Sequence, residues 1–227
     1  MRIWKLTAGD VRFQWKHGFY LVYAVFTAVY LLALAAVPEG VKPTVAAVMV
    51  FSDPAALGLF FMGALVLLEK GQGVNCAIAV SPVRIWEYTL AKLLSLAMLG
   101  LVVGAVLAVA GNVQNLFLCL TGVLLASFFC SACGLTAAMQ SRTLNQFALF
   151  AAPFELFIMI PPALLLFGVE SPFLMAHPGA AAALLITGDP PSAALCVLSL
   201  SGWCVPALWL CMKAVRRNFA QMGGAST

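Results

Sequence analysis

Glu155 stands in the stretch AAPFELF, about halfway along an otherwise uncharged apolar run from Phe147 to Gly168. A carboxylate at that depth in a bilayer costs about 2.5–3.5 kcal/mol on insertion scales. One reading is functional, with Glu155 facing a cavity or a partner subunit and meeting a cationic group while Phe150, Phe154 and Phe157 supply apolar contacts. The other is a carboxyl kept neutral or hydrogen-bonded to a neighbouring helix, such as the Ser127/Ser131 face. Asp53 precedes Pro54, which suits a helix N-cap with proline at the first helical position, so capping already explains it beside any role in a substrate pathway. Cys130-Ser-Ala-Cys133 has the CxxC spacing of redox or metal chemistry. Yet Cys130 belongs to a ridge of small residues spaced by four, Gly122, Ala126, Cys130, Gly134 and Ala138, and neither histidine joins it. Packing is the better reading, and no metal site is expected.

The most informative stretch is LLEKGQGVNCAIAVSPVRIWEYTLAKLLSL, from Leu67 to Leu96. Glu69 and Lys70 close one apolar run, and the glycines at 71 and 73 permit a sharp turn. Val74, Ala77 and Ile78 make a short apolar face on one or two helical turns. Ser81-Pro82 starts another helix, which carries Arg84, Trp86, Glu87 and Tyr88 toward Lys92. A short amphipathic helix hung from a bundle suits docking into a soluble partner; a surface loop that binds nothing has the same periodicity.

The elements that hold these residues follow from composition. Of 227 residues, 63% are hydrophobic and 9% charged, against about 45–50% and about 25% in soluble domains, and the mean hydropathy is +1.04. This composition predicts an integral membrane protein with no room for a soluble catalytic domain. Apolar runs at Phe19–Val37, Thr44–Leu68, Leu93–Gly111, Leu116–Met139, Phe147–Gly168 and Ala193–Met212 each approach the roughly 20 residues of a span. With the N-terminus inside, every lysine and arginine except Lys42 falls on the cytoplasmic side, as the positive-inside rule expects. Six helices with both termini cytoplasmic is the predicted topology. The net charge of +4 is then a topology signal, and no nucleic-acid partner is expected. The first 18 residues lack the apolar core of a cleavable signal, which makes the first run an uncleaved anchor.

Residues 1–18 are expected to form an interfacial amphipathic helix, with Trp4, Ala8, Val11 and Trp15 on one face and Lys5, Arg12 and Lys16 beside it. The transmembrane domain then covers 19–212 and a cytoplasmic tail covers 213–227. Gly100 and Gly104 make a GxxxG on the third span. Pro153 and the pair Pro161-Pro162 should break or kink the fifth span. The segment 169–192 has an apolar core, Ala180–Ile186, too short to cross, so it is expected to dip into the outer leaflet and return.

This arrangement resembles the membrane subunit of ABC-2-type transporters, in the six-helix type V exporter-like class. The signature region of that family has a Glu-Lys or Glu-Arg ending the second span, a glycine-containing coupling helix, then a Pro and a Glu before a Lys opening the third. The matching positions are Glu69, Lys70, Gly73, Pro82, Glu87 and Lys92. The string FSDPAALGLFFMGALVLLEK and the N-terminal DVRFQWKHGFY are similar to the fluoroquinolone export permease branch. The resemblance implies a permease subunit of an exporter in the plasma membrane that moves a hydrophobic or amphiphilic small molecule, such as a drug, or a lipid. It implies coupling through residues 69–92, with Val74, Ile78 and Arg84 beside the signature positions. The chain has no G-x-x-x-x-G-K-[ST], so ATP and Mg are expected on a separate ABC ATPase subunit, and the chain itself is not expected to be an enzyme or to carry a cofactor. A second permease copy or a paralogue would complete the pathway as a homodimer or heterodimer.

Other classes fit less well. An intramembrane hydrolase needs paired acids, a Ser/Lys or Ser/His pair, or a histidine cluster at membrane depth. An ion-coupled secondary carrier usually shows matching halves with broken helices at corresponding positions, of which Asp53-Pro54 and Pro153 give only an echo. A membrane anchor or assembly subunit would use the connection as a passive docking site.

Overall fold

The computed structural model describes residues 2–53, 58–166 and 172–222, and the secondary structure among them is helical, without strands. The elements are α1 (Arg2–Lys16), α2 (Phe19–Ala35), α3 (Lys42–Ser52), α4 (Leu59–Gly71), α5 (Val74–Ala79), α6 (Ile85–Ala110), α7 (Leu116–Gln140), α8 (Leu144–Leu166), α9 (Pro172–Met175), α10 (Pro178–Thr187) and α11 (Ala193–Met222). Among the described residues, α6, α7, α8 and α11 are long and apolar enough to cross a membrane. A fifth span appears if α1 and α2, bent by 70° at Gly18, are taken together. Gly18 has φ +78°, a left-handed conformation that glycine adopts without the Cβ penalty. The predicted second span corresponds to two shorter helices, α3 and α4, and Pro54 lies outside the described residues.

Helix α7 is the hub, packing on α4, α6, α8, α10 and α11. Its small residues permit this. Leu59 backbone of α4 lies where a Cβ on Gly134 would be, and Leu185 and Ile186 of α10 press on Gly122. Gly104 of α6 likewise faces Val123 of α7. Without a hydrophobic driving force in lipid, such close approach supplies the van der Waals packing that holds helices together. Cys130 and Cys133 are free thiols buried in α7 within this packing.

Two expectations are corrected. Of the break or kink expected in the fifth span, the break is absent: α8 runs as one helix through Pro153, Pro161 and Pro162. Pro162 has no N–H for the carbonyl of Ile158 four residues back, and that carbonyl points at Gly179 of α10, where the missing side chain leaves room for it. Neighbouring backbone therefore absorbs what the proline removes. Asp53 also departs from N-cap geometry: its φ of −63° and ψ of −60° are helical, and it stands at the C-terminal end of α3, not in the extended conformation of an N-cap. Helix α10 covers the apolar core expected within 169–192, and it lies buried against α3, α7, α8 and α11 with Ala180, Ala181, Leu185 and Ile186 wholly inaccessible. Residues 169–171 lie outside the described residues.

Candidate functional site: a buried charge cluster behind the α5 surface

Helix α6 carries a lysine, Lys92, near its start, and nothing of that lysine reaches solvent. Left alone there, an ammonium would pay a desolvation penalty of several kcal/mol. It has two counter-charges from distant parts of the chain. Its Nζ donates to Asp10 Oδ1 of α1 at 2.6 Å and to Glu69 Oε1 of α4. The Tyr88 hydroxyl, one turn before Lys92, lies 3.5 Å from Glu69 Oε2 and 3.4 Å from Asn75 Oδ1, with a single proton to share. Asn75 belongs to α5, so one network joins α1, α4, α5 and α6.

A second row of bonds runs parallel to the first. Gln14 Nε2 donates to Ser95 Oγ at 2.9 Å with both side chains buried, and Gln72 Nε2 meets His17 Nε2 at 2.9 Å. The face that α1 turns to the bundle is therefore Thr7, Asp10, Gln14 and His17, at spacings of three, four and three that fall on one side of a helix. Trp4 and Trp15 point the other way, 66% and 71% exposed, and Lys5, Arg12 and Lys16 are exposed beside them.

Lys70 does different work one residue on. Its Nζ donates to the carbonyls of Ala138, Met139 and Ser141 at 2.8, 2.9 and 2.9 Å. The last carbonyls of a helix have no partner within it and carry partial negative charge, so a lysine here both satisfies them and complements the dipole of α7.

After this the chain turns at Gly73, φ +70°, and forms α5. Ile78 packs toward the core and Val74 is half-buried, so the apolar face predicted for docking is partly turned inward. The outward side is Cys76, Ala77 and Val80, the last 79% exposed, continuing into exposed Pro82 and Arg84. Arg2 of α1 reaches the Pro82 carbonyl at 3.5 Å. Glu87 is buried and accepts from the Arg84 backbone N–H at 2.9 Å, half of a capping box that starts α6. Of the predicted coupling residues, then, Glu69, Lys70 and Glu87 hold the frame, while Gly73, Pro82 and Arg84 lie on the surface.

The predicted pathway residues do not share one site. Among the described residues, buried Asp53 finds no hydrogen-bond partner for Oδ1, and buried Ser127 and Ser131 of α7 find none for their hydroxyls. A Cβ on Gly100 would lie 3.0 Å from Ser127 Oγ and 3.7 Å from Asp53 Oδ2, which puts the carboxyl and that hydroxyl around one glycine gap. Glu155 is half-buried with Oε2 unpartnered, Phe154 packs on the core, and Phe150 and Phe157 are partly exposed. Phe157 instead stacks near His177 and Trp203, at ring separations of 4.3 and 5.7 Å.

Sequence reasoning missed Asp10, Gln14, Asn75, Tyr88 and Ser95. The signal was available for two of them: a lysine just inside an apolar run needs a counter-charge, and the polar residues of α1 repeat at helical spacing.

No family model matches the chain. Two curated proteins of Mycobacterium tuberculosis, one from strain CDC 1551/Oshkosh and one from strain H37Rv, are similar to it, and both are named fluoroquinolones export permease protein. Each is 31% identical over 146 residues, which cover 63% of this chain and 61% of the relative. The chain thus matches about three-fifths of the length of these relatives. It is a multi-pass helical membrane protein similar to export permeases.

Proposed function

We propose that this chain is the permease subunit of an ATP-driven exporter of the ABC-2 type, taking its energy from a separate ATPase at the surface formed by α5 and residues 80–84. The observation that carries this reading is the Asp10–Lys92–Glu69 cluster with Tyr88 and Asn75. It ties the α5 helix, through Asn75, to the first turns of α6, the end of α4 and Asp10 of α1. A push on α5 would then reach four helices as one body, because buried, fully paired charges resist separation. A passive anchor has no need of such a frame. The names of the M. tuberculosis relatives support the export direction and a drug-like, amphiphilic cargo.

On this reading the charged end of the bundle is cytoplasmic, the spans are α2, α3 with α4, α6, α7, α8 and α11, and α10 is an outer re-entrant helix. Nucleotide and Mg²⁺ belong to the partner ATPase. A second copy of the chain or a paralogue faces this one, and cargo moves between the two bundles as they alternate between inward- and outward-open arrangements. Asp53 and Glu155, each with an unpartnered oxygen, are the polar groups left to meet a cationic centre on the cargo.

The test is purification of the full chain in mild detergent from its host, followed by mass spectrometry of what accompanies it. A stoichiometric ATPase is expected with the wild type and is expected to be lost with Ala77→Asp/Val80→Asp, whose side chains are exposed and whose change leaves the charge cluster intact. Recovery of the chain alone, under conditions that preserve other transporter complexes, would refute the proposal.

A further inference from the structure

Between the ends of α7, α8 and α11 lies a cavity of about 500 Å³ that neither the charge cluster nor the α5 surface uses. Four cations line it, Lys70, Arg142, Lys213 and Arg217, and no carboxylate is among its lining residues. The other wall is apolar and includes Phe150 and Leu210. Topology explains why this end of the bundle is basic, since lysine and arginine collect on one side of a membrane. It does not explain convergence. Arg216, next to Arg217 on α11, is as exposed and stays outside the cavity. Lys70 is spoken for by three carbonyls, and Lys213 sits 4.9 Å from the Trp209 ring, which leaves the guanidiniums of Arg142 and Arg217 free to form paired bonds. Planar, bidentate donors of this kind match phosphate and carboxylate oxygens.

We infer that this cavity binds the anionic head, phosphate or carboxylate, of an amphiphile whose apolar part lies along Phe150 and Leu210 toward the lipid. The head compensates like charges that otherwise repel one another, and the tail covers apolar side chains at the mouth. Two sources share this chemistry: an anionic phospholipid and a free phosphate-bearing or carboxylate-bearing molecule. The site requires no ATPase and no transport, so it stands or falls separately from the proposed function.

The experiment uses the full-length chain in detergent, with native mass spectrometry and thermal unfolding read after addition of phosphatidylglycerol, phosphatidylcholine of the same acyl chains, or inorganic phosphate. Phosphatidylglycerol is expected to be retained and to raise the Tm, while phosphatidylcholine does neither. Arg142→Gln/Arg217→Gln is expected to weaken retention about thirtyfold, each cation near a lipid surface contributing roughly fivefold. Arg142→Lys/Arg217→Lys keeps the charge but loses the planar fork, so its retention should fall between wild type and the double glutamine variant, which separates charge from bidentate geometry. Arg216→Gln should have no effect. Displacement of the lipid by millimolar phosphate would assign the site to free anions as well; no displacement would assign it to lipid. Equal retention of phosphatidylcholine, an Arg216→Gln loss as large as that of Arg142→Gln, or unchanged retention in the double glutamine variant would overturn the inference.

Discussion

The buried charges at the α5 end of the bundle and those deeper within it are treated in opposite ways. At the α5 end Lys92 has two carboxylates, Glu69 has Lys92 and Tyr88, and Lys70 has three carbonyls. Deeper in, Asp53 and Glu155 each keep an oxygen with no hydrogen-bond partner among the described residues. Neutral groups are left open in both regions, Thr7 Oγ1, Gln14 Oε1, Asn75 Nδ2 and Thr89 Oγ1 at the α5 end among them, so the contrast is confined to the charged groups. On the proposed function, the paired set would serve as the frame and the unpaired carboxylates as contacts for cargo.

This contrast can be broken most easily at Lys92. Lys92→Met leaves Asp10 and Glu69 as neighbouring buried carboxylates, and removing one partner of such a pair costs about 3–5 kcal/mol. The variant is expected to lose its monodisperse peak in size-exclusion chromatography, whereas Asp10→Asn/Glu69→Gln/Lys92→Met should recover most of it. Failure of the triple variant to recover would mean that shape, not charge pairing, holds the frame. A smaller effect is expected at the hub: Gly134→Ala places a methyl against Leu59 backbone and should cost about 1–3 kcal/mol, read as a lower Tm. Lys70→Met, which uncaps α7, should cost on the order of 0.3–2 kcal/mol by the same measurement. Smallest in stability, and sharpest for the comparison, is Asp53→Asn. With no partner at Oδ1 to lose, it should change stability by less than about 1 kcal/mol. Efflux of a cationic amphiphile from cells should nevertheless fall. Unchanged efflux would remove Asp53 from the pathway.

Much of the architecture was legible in the sequence because membrane helices announce themselves by long apolar runs. The bounds of α7 and α8 lie near the predicted spans, whereas α6 begins well before Leu93 and α11 continues well past Met212, and small residues of α7 lie at its close approaches, as the spacing of four implies. Helix α1 was legible by its exposed face, since Trp4 and Trp15 stand out, but the side that packs on the bundle is the quieter row from Thr7 to His17. The cluster was only half legible. Glu69, Lys70 and Glu87 carry a family signature, and that signature marked them as coupling residues without saying that they face inward. Asp10 pairs with Lys92 across 82 positions, and no local pattern encodes a contact of that range. The prolines of α8 misled for a related reason: the residue that accommodates Pro162 is Gly179, on another helix.

Cys76 offers the most direct measurement. It is the exposed cysteine among seven free thiols, the other six being buried, and it sits on the outward side of α5. A thiol-directed photo-crosslinker attached there in native membranes samples whatever lies against α5 without any mutation. The predicted result is a single adduct with a soluble ATPase carrying a G-x-x-x-x-G-K-[ST] loop, absent from Ala77→Asp/Val80→Asp membranes. Adducts with lipid alone, at labelling efficiencies that capture known complexes, would contradict the proposal that this chain is driven through the α5 surface.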